Sequence, residues 1–315
     1  MNSLIMRGFQ YPENPEWSVQ EDEIQGIVDR INGAKKLWPF VRILRIFVPV
    51  LRDVLCGFID EEDGEPAGLI NYMRQRNTPE WHIGNVTVLP AYRRRGIARQ
   101  LVQATLDELR NRKAQAAFLE VVVGNEPAFK LYEEMGFEAF TQSCEFQLRK
   151  ESSIFPQDIP SGYHVRPLSP FDWKTRFLFA ERVTPDQITR YEPVTEARFQ
   201  VPWILPLIGG LLESAGGSRN KRFVIQTVEG TVVAVGQYSY RLRTGGVNFA
   251  NVSIDLDHLQ LAEFILHHVF SEIQKVSPGR RIGITFEEWE SALIGCAKEM
   301  GCEKRLVMHR MGLRF

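Results

Sequence analysis

The most informative segment of the chain reads Asn85-Val86-Thr87-Val88-Leu89-Pro90-Ala91-Tyr92-Arg93-Arg94-Arg95-Gly96-Ile97-Ala98. Its first part has strand composition back to Trp81 and ends at Pro90. An arginine-rich turn with one glycine follows and opens directly into a helix. Small residues let a ligand approach the backbone, and the N–H groups at a helix start attract anions. The segment therefore predicts an anion site flanked by arginines, which pair well with phosphate oxygens.

The helix after this turn is predicted to be amphipathic. Its apolar stripe consists of Ile97, Leu101, Thr105, Leu106 and Leu109. Two common phosphate-binding patterns are missing here: the Gly-Lys-Ser/Thr ending of nucleoside triphosphate loops and the Gly-x-Gly-x-x-Gly dinucleotide pattern. A basic helix start that only faces solvent therefore stays open as an alternative while this segment is considered alone.

A second segment, Phe118 to Glu138, predicts a buried strand followed by a short helix. Asn125 is placed to cap that helix, Pro127 lies in its first turn, and Gly136 ends it. Together the two segments resemble the GNAT superfamily of acyl-CoA-dependent N-acyltransferases. The first matches the Arg/Gln-x-x-Gly-x-Gly/Ala signature at Arg93, Gly96 and Ala98. The second matches the Asn-x-x-Ala-x-x-Leu-Tyr-x-x-x-Gly-Phe signature at Asn125, Ala128, Leu131, Tyr132, Gly136 and Phe137.

The resemblance implies that acetyl-CoA is the cosubstrate. Its pyrophosphate would lie on the backbone amides of the arginine turn, and its pantetheine arm would contact the backbone of the preceding strand. Without the resemblance, these positions are an ordinary strand, a tight turn and a helix cap. The residues assigned to the coenzyme in this way are Val86, Thr87, Val88, Arg93, Arg94, Arg95, Gly96, Ile97, Ala98, Arg99 and Asn125.

The resemblance also implies three catalytic candidates. Tyr132 would protonate the departing thiolate, although its spacing alone describes a half-buried aromatic residue. Glu120 corresponds to the glutamate that takes the proton in ribosomal-protein alanine N-acetyltransferases. His82 lies where other GNAT enzymes carry a catalytic glutamate on the central strand. Either residue can equally be an exposed strand position, so the choice of general base between Glu120 and His82 stays open.

These features predict an N-acetyltransferase that transfers an acetyl group from acetyl-CoA to a primary amine by direct attack. The acceptor is either a small molecule or a peptide N-terminus, and the sequence does not choose between them. The rival interpretation is a non-catalytic acyl-CoA-binding or regulatory module. Such a module differs from the enzyme in one observable property, because it would bind acetyl-CoA tightly without turning over any acceptor.

Composition excludes several other classes. The 315 residues carry a formal net charge of −1, which disfavours a nucleic-acid partner. No apolar run has membrane-spanning length, so no membrane role is predicted. The four cysteines lack metal-ligand spacing, so no metal site is expected, and reduced thiols favour a cytoplasmic protein. A homodimer is compatible with the sequence.

The chain also contains a degenerate internal repeat. Tyr72 resembles Tyr238, and Asn85-Val86-Thr87-Val88 resembles Asn251-Val252-Ser253-Ile254, with the same separation of 166 residues in both cases. The repeat predicts an α/β (α+β) fold with two GNAT-like domains, each a mixed, mostly antiparallel sheet flanked by helices. The expected domains are residues 1–150 and 161–315, joined by the polar linker Lys150 to Gly162.

The two copies differ where coenzyme chemistry is expected. In place of the arginine turn, the second copy reads Asp255-Leu256-Asp257-His258, and these acidic groups would repel phosphates. Tyr132 and Asn125 are matched by Ala297 and Glu290. The second domain is therefore expected to be a degenerate copy that shapes or covers the first. The segments 37–51 and 201–212 are expected either to pack in the core or to line an acceptor groove or the contact between domains.

Overall fold

A computed structural model of the chain describes residues 14–47, 52–53, 56–202, 210, 213–214, 216–243 and 245–315. The expected acceptor-groove side chains Leu37, Trp38, Phe40 and Phe47, and most of the segment 201–212, lie outside the described part. None of the described helices combines the length and the apolar character needed to cross a bilayer.

The first half alternates strands and helices as the sequence predicts. Its elements are α1 (Glu21–Phe47), β1 (Cys56–Glu62), β2 (Glu65–Arg74), β3 (Glu80–Val88), α2 (Ile97–Asn111), β4 (Ala116–Val122), α3 (Glu126–Glu134) and β5 (Glu138–Leu148). The predicted apolar stripe of α2 is confirmed, because Ile97, Leu101, Thr105, Leu106 and Leu109 are all buried.

After the strand β6, the second half repeats this order. Its described elements are β6 (Tyr163–Pro167), α4 (Trp173–Val183), α5 (Asp186–Thr189), α6 (Glu196–Phe199), β7 (Ser218–Thr227), β8 (Val232–Arg241), β9 (Asn248–Ile254), α7 (Ala262–Val276), β10 (Ile282–Glu287), α8 (Ser291–Glu299) and β11 (Glu303–Arg314).

All these strands form one mixed, mostly antiparallel sheet in the order β1-β2-β3-β4-β11-β5-β10-β9-β8-β7-β6. The last strand, β11, lies between β4 and β5 and is antiparallel to both. Strand β5 has β10 as its other neighbour. Both neighbours of β5 therefore come from the second half, so the two halves exchange strands at the centre of the sheet. The internal repeat in the sequence does not predict this exchange.

Two apolar clusters pack against this sheet. One joins α2 and α3 to the strands of the first half, with Trp81, Ile83, Leu119 and Tyr132 among its members. The other surrounds α7 and includes Phe146 and Leu148 of β5 together with Phe270 and Phe286. Strand β5 thus contributes its apolar side chains to the second cluster, although it belongs to the first copy in sequence.

Helix α1 is tied to the second half by charged side chains. Asp29 accepts a hydrogen bond from the guanidinium of Arg241, and both groups are almost fully buried. Arg305 donates to Glu23 at 2.8 Å, and Arg281 Nε donates to Asp22 at 2.7 Å. Because the partners lie more than 200 residues apart, these bonds fix α1 against the second half.

Candidate functional site

The turn between β3 and α2 has the geometry of an open anion site. Arg94 and Gly96 both have left-handed backbone, with φ of 66° and 83°. Gly96 is the N-cap of α2 and supplies no capping side chain, and the first-turn N–H groups of a helix have no acceptor inside the helix. A Cβ atom built on Gly96 would meet no atom within 4 Å. The face of the turn above Gly96 is therefore open.

The arginines predicted at this turn surround it and are exposed. Arg93 Nε donates to the carbonyl of Val88 at 3.3 Å, and Arg95 donates to the carbonyl of Ala91 at 3.3 Å while lying over the Tyr92 ring. Arg99 forms an ion pair with Glu134 of α3. The structure thus gathers positive charge at the start of α2, where the helix dipole has the same sign.

Strand β3 is interrupted by a β-bulge next to this turn. Leu69 pairs with Thr87 and Asn71 pairs with Gly84, so Asn85 and Val86 together face the single residue Ile70. Asn85 adopts left-handed backbone with a φ of 52°. A bulge redirects backbone groups out of the ladder. Thr87 lies beside the bulge, and its buried hydroxyl oxygen has no partner among the described residues.

Strands β3 and β4 are parallel only at their beginnings. Their pairing runs from Glu80 and Ala116 to His82 and Phe118 and then stops, although both strands continue. The strands therefore diverge and leave an opening edged by the bulge and by the turn before α2. The residues predicted to bind the coenzyme, Val86 to Val88 and Arg93 to Arg99, lie along this one edge.

His82 and Glu120 lie on the sheet face opposite α2, beside a residue of the exchanged strand. The rings of His82 and Phe118 have centroids 5.1 Å apart. Glu120 is the register partner of Arg310 in β11. Burial lowers the pKa of His82 below its usual value; nearby Glu120 opposes this effect and Arg310 adds to it. His82 is therefore neutral at pH 7 and able to accept a proton.

Tyr132 lies on the other side of the sheet. It packs in the apolar cluster that contains Trp81 and Leu119, whose side chains point to the α2 face. In sequence these two residues are next to His82 and Glu120, which point to the opposite face. Only 6% of Tyr132 is exposed, and its ring meets Phe137 edge-on. Asn125 caps α3 by accepting a hydrogen bond from the Ala128 N–H at 3.4 Å, so the cap that its position predicts is present.

The corresponding place in the second half is built differently. Strands β8 and β9 pair without interruption from Ala234–Ile254 to Ser239–Phe249, so no bulge is present there. Asp255 accepts a hydrogen bond from the Asp257 N–H at 3.2 Å and an ion pair from Arg182 at 2.7 Å. A 3₁₀ helix, Leu256–Leu261, then runs directly into α7, which leaves no open turn before that helix.

The second half nevertheless contains a cavity of about 310 Å³ beside the region where β9 and β10 diverge. Burial raises the pKa of Glu287 to about 8 and that of Glu290 to about 7. Arg310 also lines the cavity and donates to Glu287 at 2.6 Å. Arg310 is a site residue that the sequence analysis missed, because only the strand exchange brings it beside Glu120.

Comparisons with known proteins bear on the same segment. Residues 32–137 match the model of the acetyltransferase (GNAT) family. N-alpha-acetyltransferase 30 of Schizosaccharomyces pombe is 45% identical over 56 residues, or 18% of this chain and 37% of that protein. An N-alpha-acetyltransferase of Sulfurisphaera tokodaii is 34% identical over 91 residues, or 25% of this chain and 54% of the relative.

The ribosomal protein bS18-alanine N-acetyltransferase of Escherichia coli K12 is 40% identical over 57 residues, or 18% of this chain and 38% of that enzyme. The chain therefore spans between about a third and about a half of the length of these curated relatives.

Solved structures resemble the chain over most of its length. A tandem GNAT protein from the clavulanic acid biosynthesis pathway superposes with a TM-score of 0.58 at 14% identity, covering 83% of both chains. A GCN5-related N-acetyltransferase from Sphaerobacter thermophilus gives a TM-score of 0.58 at 16% identity, covering 80% of this chain and 78% of that one. At these identities the likeness concerns the fold.

The chain thus has the α/β fold of a tandem GNAT protein, with an open anion turn before α2. The matched segment holds both sequence signatures, and the protein from the clavulanic acid pathway is a tandem GNAT protein. Residues 32–137 therefore match the GNAT family of acetyltransferases.

Proposed function

We propose that the chain is an acetyl-CoA-dependent N-acetyltransferase whose first half, residues 1–150, carries the reaction. The second half, residues 161–315, would support that site without binding the coenzyme. The observation that carries the proposal is the difference between the halves. The first has a bulged strand and an open left-handed turn, whereas the second has a regular strand and an acidic, closed turn.

The residues present fit acetyl-CoA as a substrate. The orphan N–H groups at the start of α2 and the surrounding arginines suit a pyrophosphate. The bulge at Asn85 and Val86 frees backbone groups at the opening between β3 and β4, and an amide there can stabilise charge that develops on a thioester oxygen. The hydroxyl of Thr87 adds a buried polar atom at the same edge.

The catalytic residues would act from opposite sides of the opening. The acceptor nitrogen forms a bond to the acetyl carbonyl carbon, the carbon–sulfur bond breaks, and the nitrogen loses a proton. His82 or Glu120 would accept that proton on one face of the sheet. Tyr132 would donate its proton to the departing sulfur on the other face, which requires direct contact because a phenol is a weaker acid than a thiol.

The acceptor is best matched by an α-amino group. An α-amino group has a pKa of about 8, so making it neutral at pH 7 costs about 1.4 kcal/mol, against about 4.6 kcal/mol for a lysine. The curated relatives are named for acetylation at α-amino groups or at a ribosomal-protein alanine. We therefore propose a peptide N-terminus as the acceptor, with a small amine as the alternative.

The test is coenzyme A release with a panel of peptides and small amines, using Tyr132→Phe and a control variant. We expect Tyr132→Phe to lower turnover about 10²-fold, because the leaving thiolate loses its proton donor, and to leave acetyl-CoA affinity unchanged. Tyr72→Phe removes another buried hydroxyl from the same cluster and should keep turnover. Tight acetyl-CoA binding without turnover on any amine would instead favour the non-catalytic module.

A further inference from the structure

Arginines in this structure are usually held against carboxylates. Arg198 donates to Glu192 at 2.8 Å and Arg112 to Asp53 at 2.8 Å, for example. Two half-buried arginines of the described part, Arg219 and Arg280, have no such carboxylate partner. The same holds for Arg76, Arg176 and Arg222, which are also half-buried and in addition lie close together. In the described part of the chain, no carboxylate oxygen lies within 4.0 Å of their guanidinium nitrogens, and outside it the sequence contains a single acidic residue, Glu13.

These arginines converge from both halves of the chain. Arg76, in the loop between β2 and β3, donates to the carbonyl of Gln200 at 3.4 Å. Arg176, on α4, donates to the adjacent carbonyl of Phe199 at 3.5 Å. Arg222, on β7, donates through Nε to Gln237 at 2.8 Å. The guanidinium groups of Arg76 and Arg176 thus lie close together at the adjacent carbonyls of Gln200 and Phe199. Their remaining N–H groups need other acceptors.

The charges of the three side chains affect one another. Burial is the largest cause of the lowered pKa of Arg176, about 10, and repulsion from Arg222 and Arg76 adds to it. The pKa of Arg76 is lowered by burial and then by Arg222 and Arg198. The Nε atom of Arg176 is buried without an acceptor in the described part. Gathering like charges and leaving a donor unpaired are both unfavourable until an anion binds.

The cluster lies on the face of the sheet that carries the candidate base. Arg198 lies near Arg76 and is itself influenced by Glu80 at the start of β3. Glu80 and His82 share a face of β3 and are two residues apart, or roughly 7 Å along the strand. An anion at the cluster would therefore lie on the order of 10–15 Å from the proton acceptor, within reach of a peptide of a few residues.

We propose that Arg76, Arg176 and Arg222 form a subsite for an acidic group of the acceptor, a carboxylate or a phosphate on the peptide whose N-terminus is acetylated. This inference rests on the proposed function. Guanidinium groups bind either acid through paired hydrogen bonds, so the shared chemistry defines the ligand class. Acceptors with an acidic residue shortly after the N-terminus would be preferred over neutral ones.

The first arm of the test needs no catalysis. Thermal unfolding is followed with and without inorganic phosphate, in a background carrying Arg93→Gln and Arg95→Gln that weakens phosphate binding at the turn before α2. We expect phosphate to raise the Tm of the background. Adding Arg176→Gln and Arg222→Gln should raise the phosphate-free Tm, because repulsion is relieved, and should abolish the phosphate response.

The matched control adds Arg110→Gln and Arg149→Gln instead, which removes two exposed arginines that have carboxylate partners. This control should keep the phosphate response. If the Arg176/Arg222 variant unfolds at a lower temperature and responds to phosphate as the background does, the arginines are structural and the subsite is overturned.

The second arm compares peptides of one sequence that carry aspartate, asparagine, phosphoserine or serine at the third to fifth position. We expect the acidic peptides to have at least tenfold lower KM than their neutral counterparts in the wild type, and this advantage to vanish in Arg176→Gln/Arg222→Gln at unchanged kcat. A better response to phosphoserine than to aspartate would assign the phosphate.

The phosphate experiment and the peptide experiment together distinguish failure of the proposed subsite from failure of the proposed acetyltransferase function. A phosphate response without any preference for acidic peptides overturns the acceptor assignment and indicates a site for a free anion. An absence of turnover by every protein, with the phosphate response intact, counts against the proposed function and leaves the anion site in place.

Discussion

His82 and Glu120 are the two residues proposed as general base, and their surroundings differ. His82 is half-buried against Phe118, and its lowered pKa keeps it neutral at physiological pH. Glu120 is exposed and interacts electrostatically with both His82 and Arg310. We favour His82 as the proton acceptor and Glu120 as the group that adjusts the His82 pKa.

The pH dependence of kcat/KM separates these roles. The comparison uses kcat/KM corrected for the fraction of the acceptor amine that is neutral at each pH. If His82 is the base, this corrected kcat/KM falls as the pH drops through the His82 pKa, which lies below 6.5. His82→Gln should lower kcat/KM about 10²-fold and remove that acidic limb. Glu120→Gln should move the limb to lower pH, because Glu120 raises the His82 pKa.

The opposite pattern would exchange the assignments. A wild-type profile in His82→Gln, together with loss of the acidic limb in Glu120→Gln, would identify Glu120 as the base. His164→Gln is the matched control, because it removes an exposed histidine from β6 in the second half and should leave the profile unchanged.

For single residues, the sequence predicts contacts between residues that are close to each other in the chain. Asn125 could be recognised as a cap because capping depends on the next three residues, and the structure has that hydrogen bond. Arg310 could not be recognised, because its nearness to Glu120 depends on a pairing between strands 190 residues apart. His82 and Glu120 were named from the family resemblance, and their roles stay predictions.

At the scale of elements, the helix α2 and the strands around it follow from hydrophobic periodicity. The stripe from Ile97 to Leu109 has the spacing of one helix face, so the sequence alone defines which side is buried. The bulge at Asn85 and Val86 is different. Whether a strand residue is accommodated as a bulge depends on the register of its partner, β2, and the sequence of β3 does not reveal that register.

The sequence predicts that the turn before α2 and the corresponding turn of the second half differ in charge. The structure shows that the two turns also differ in backbone conformation. Asp255 and Asp257 indicated that the second copy could not hold phosphates. The structure shows that Asp255 is also used as a cap and as the partner of Arg182. The closed turn is therefore stabilised by its own contacts, and replacing its acids would not restore an open site.

At the scale of the whole molecule, the exchanged strands make each half depend on the other. Strand β5 pairs with β11 and β10 and with no strand of its own half, and its Phe146 and Leu148 belong to the cluster around α7. The internal repeat predicted two consecutive domains, because similarity along a sequence cannot show which strands pair. The boundaries 1–150 and 161–315 stay a prediction about sequence, and the sheet is continuous across them.

Expressing the halves separately tests this dependence. Residues 1–157 alone would leave β5 without neighbours and one edge of β4 unpaired, so we expect an aggregated or unfolded product by circular dichroism and sedimentation. Co-expressed fragments 1–157 and 158–315 should associate and unfold as one unit, since the break lies in the linker. A folded, monomeric 1–157 fragment that binds acetyl-CoA would show that the exchange is dispensable.

We propose that the open turn before α2 holds the diphosphate of acetyl-CoA, and calorimetric titration of two glycine variants tests this proposal. Gly96 and Gly64 both have left-handed backbone, with φ of 83° and 80°, and a Cβ atom at either would meet nothing within 4 Å. Replacing either by alanine therefore costs a similar backbone strain of about 1–2 kcal/mol.

Only Gly96 lies where a phosphate would approach. We expect one acetyl-CoA bound per chain in the wild type and in Gly64→Ala, and at least tenfold weaker binding in Gly96→Ala. Equal affinity in all three proteins, or no heat of binding with the wild type, would contradict the proposal.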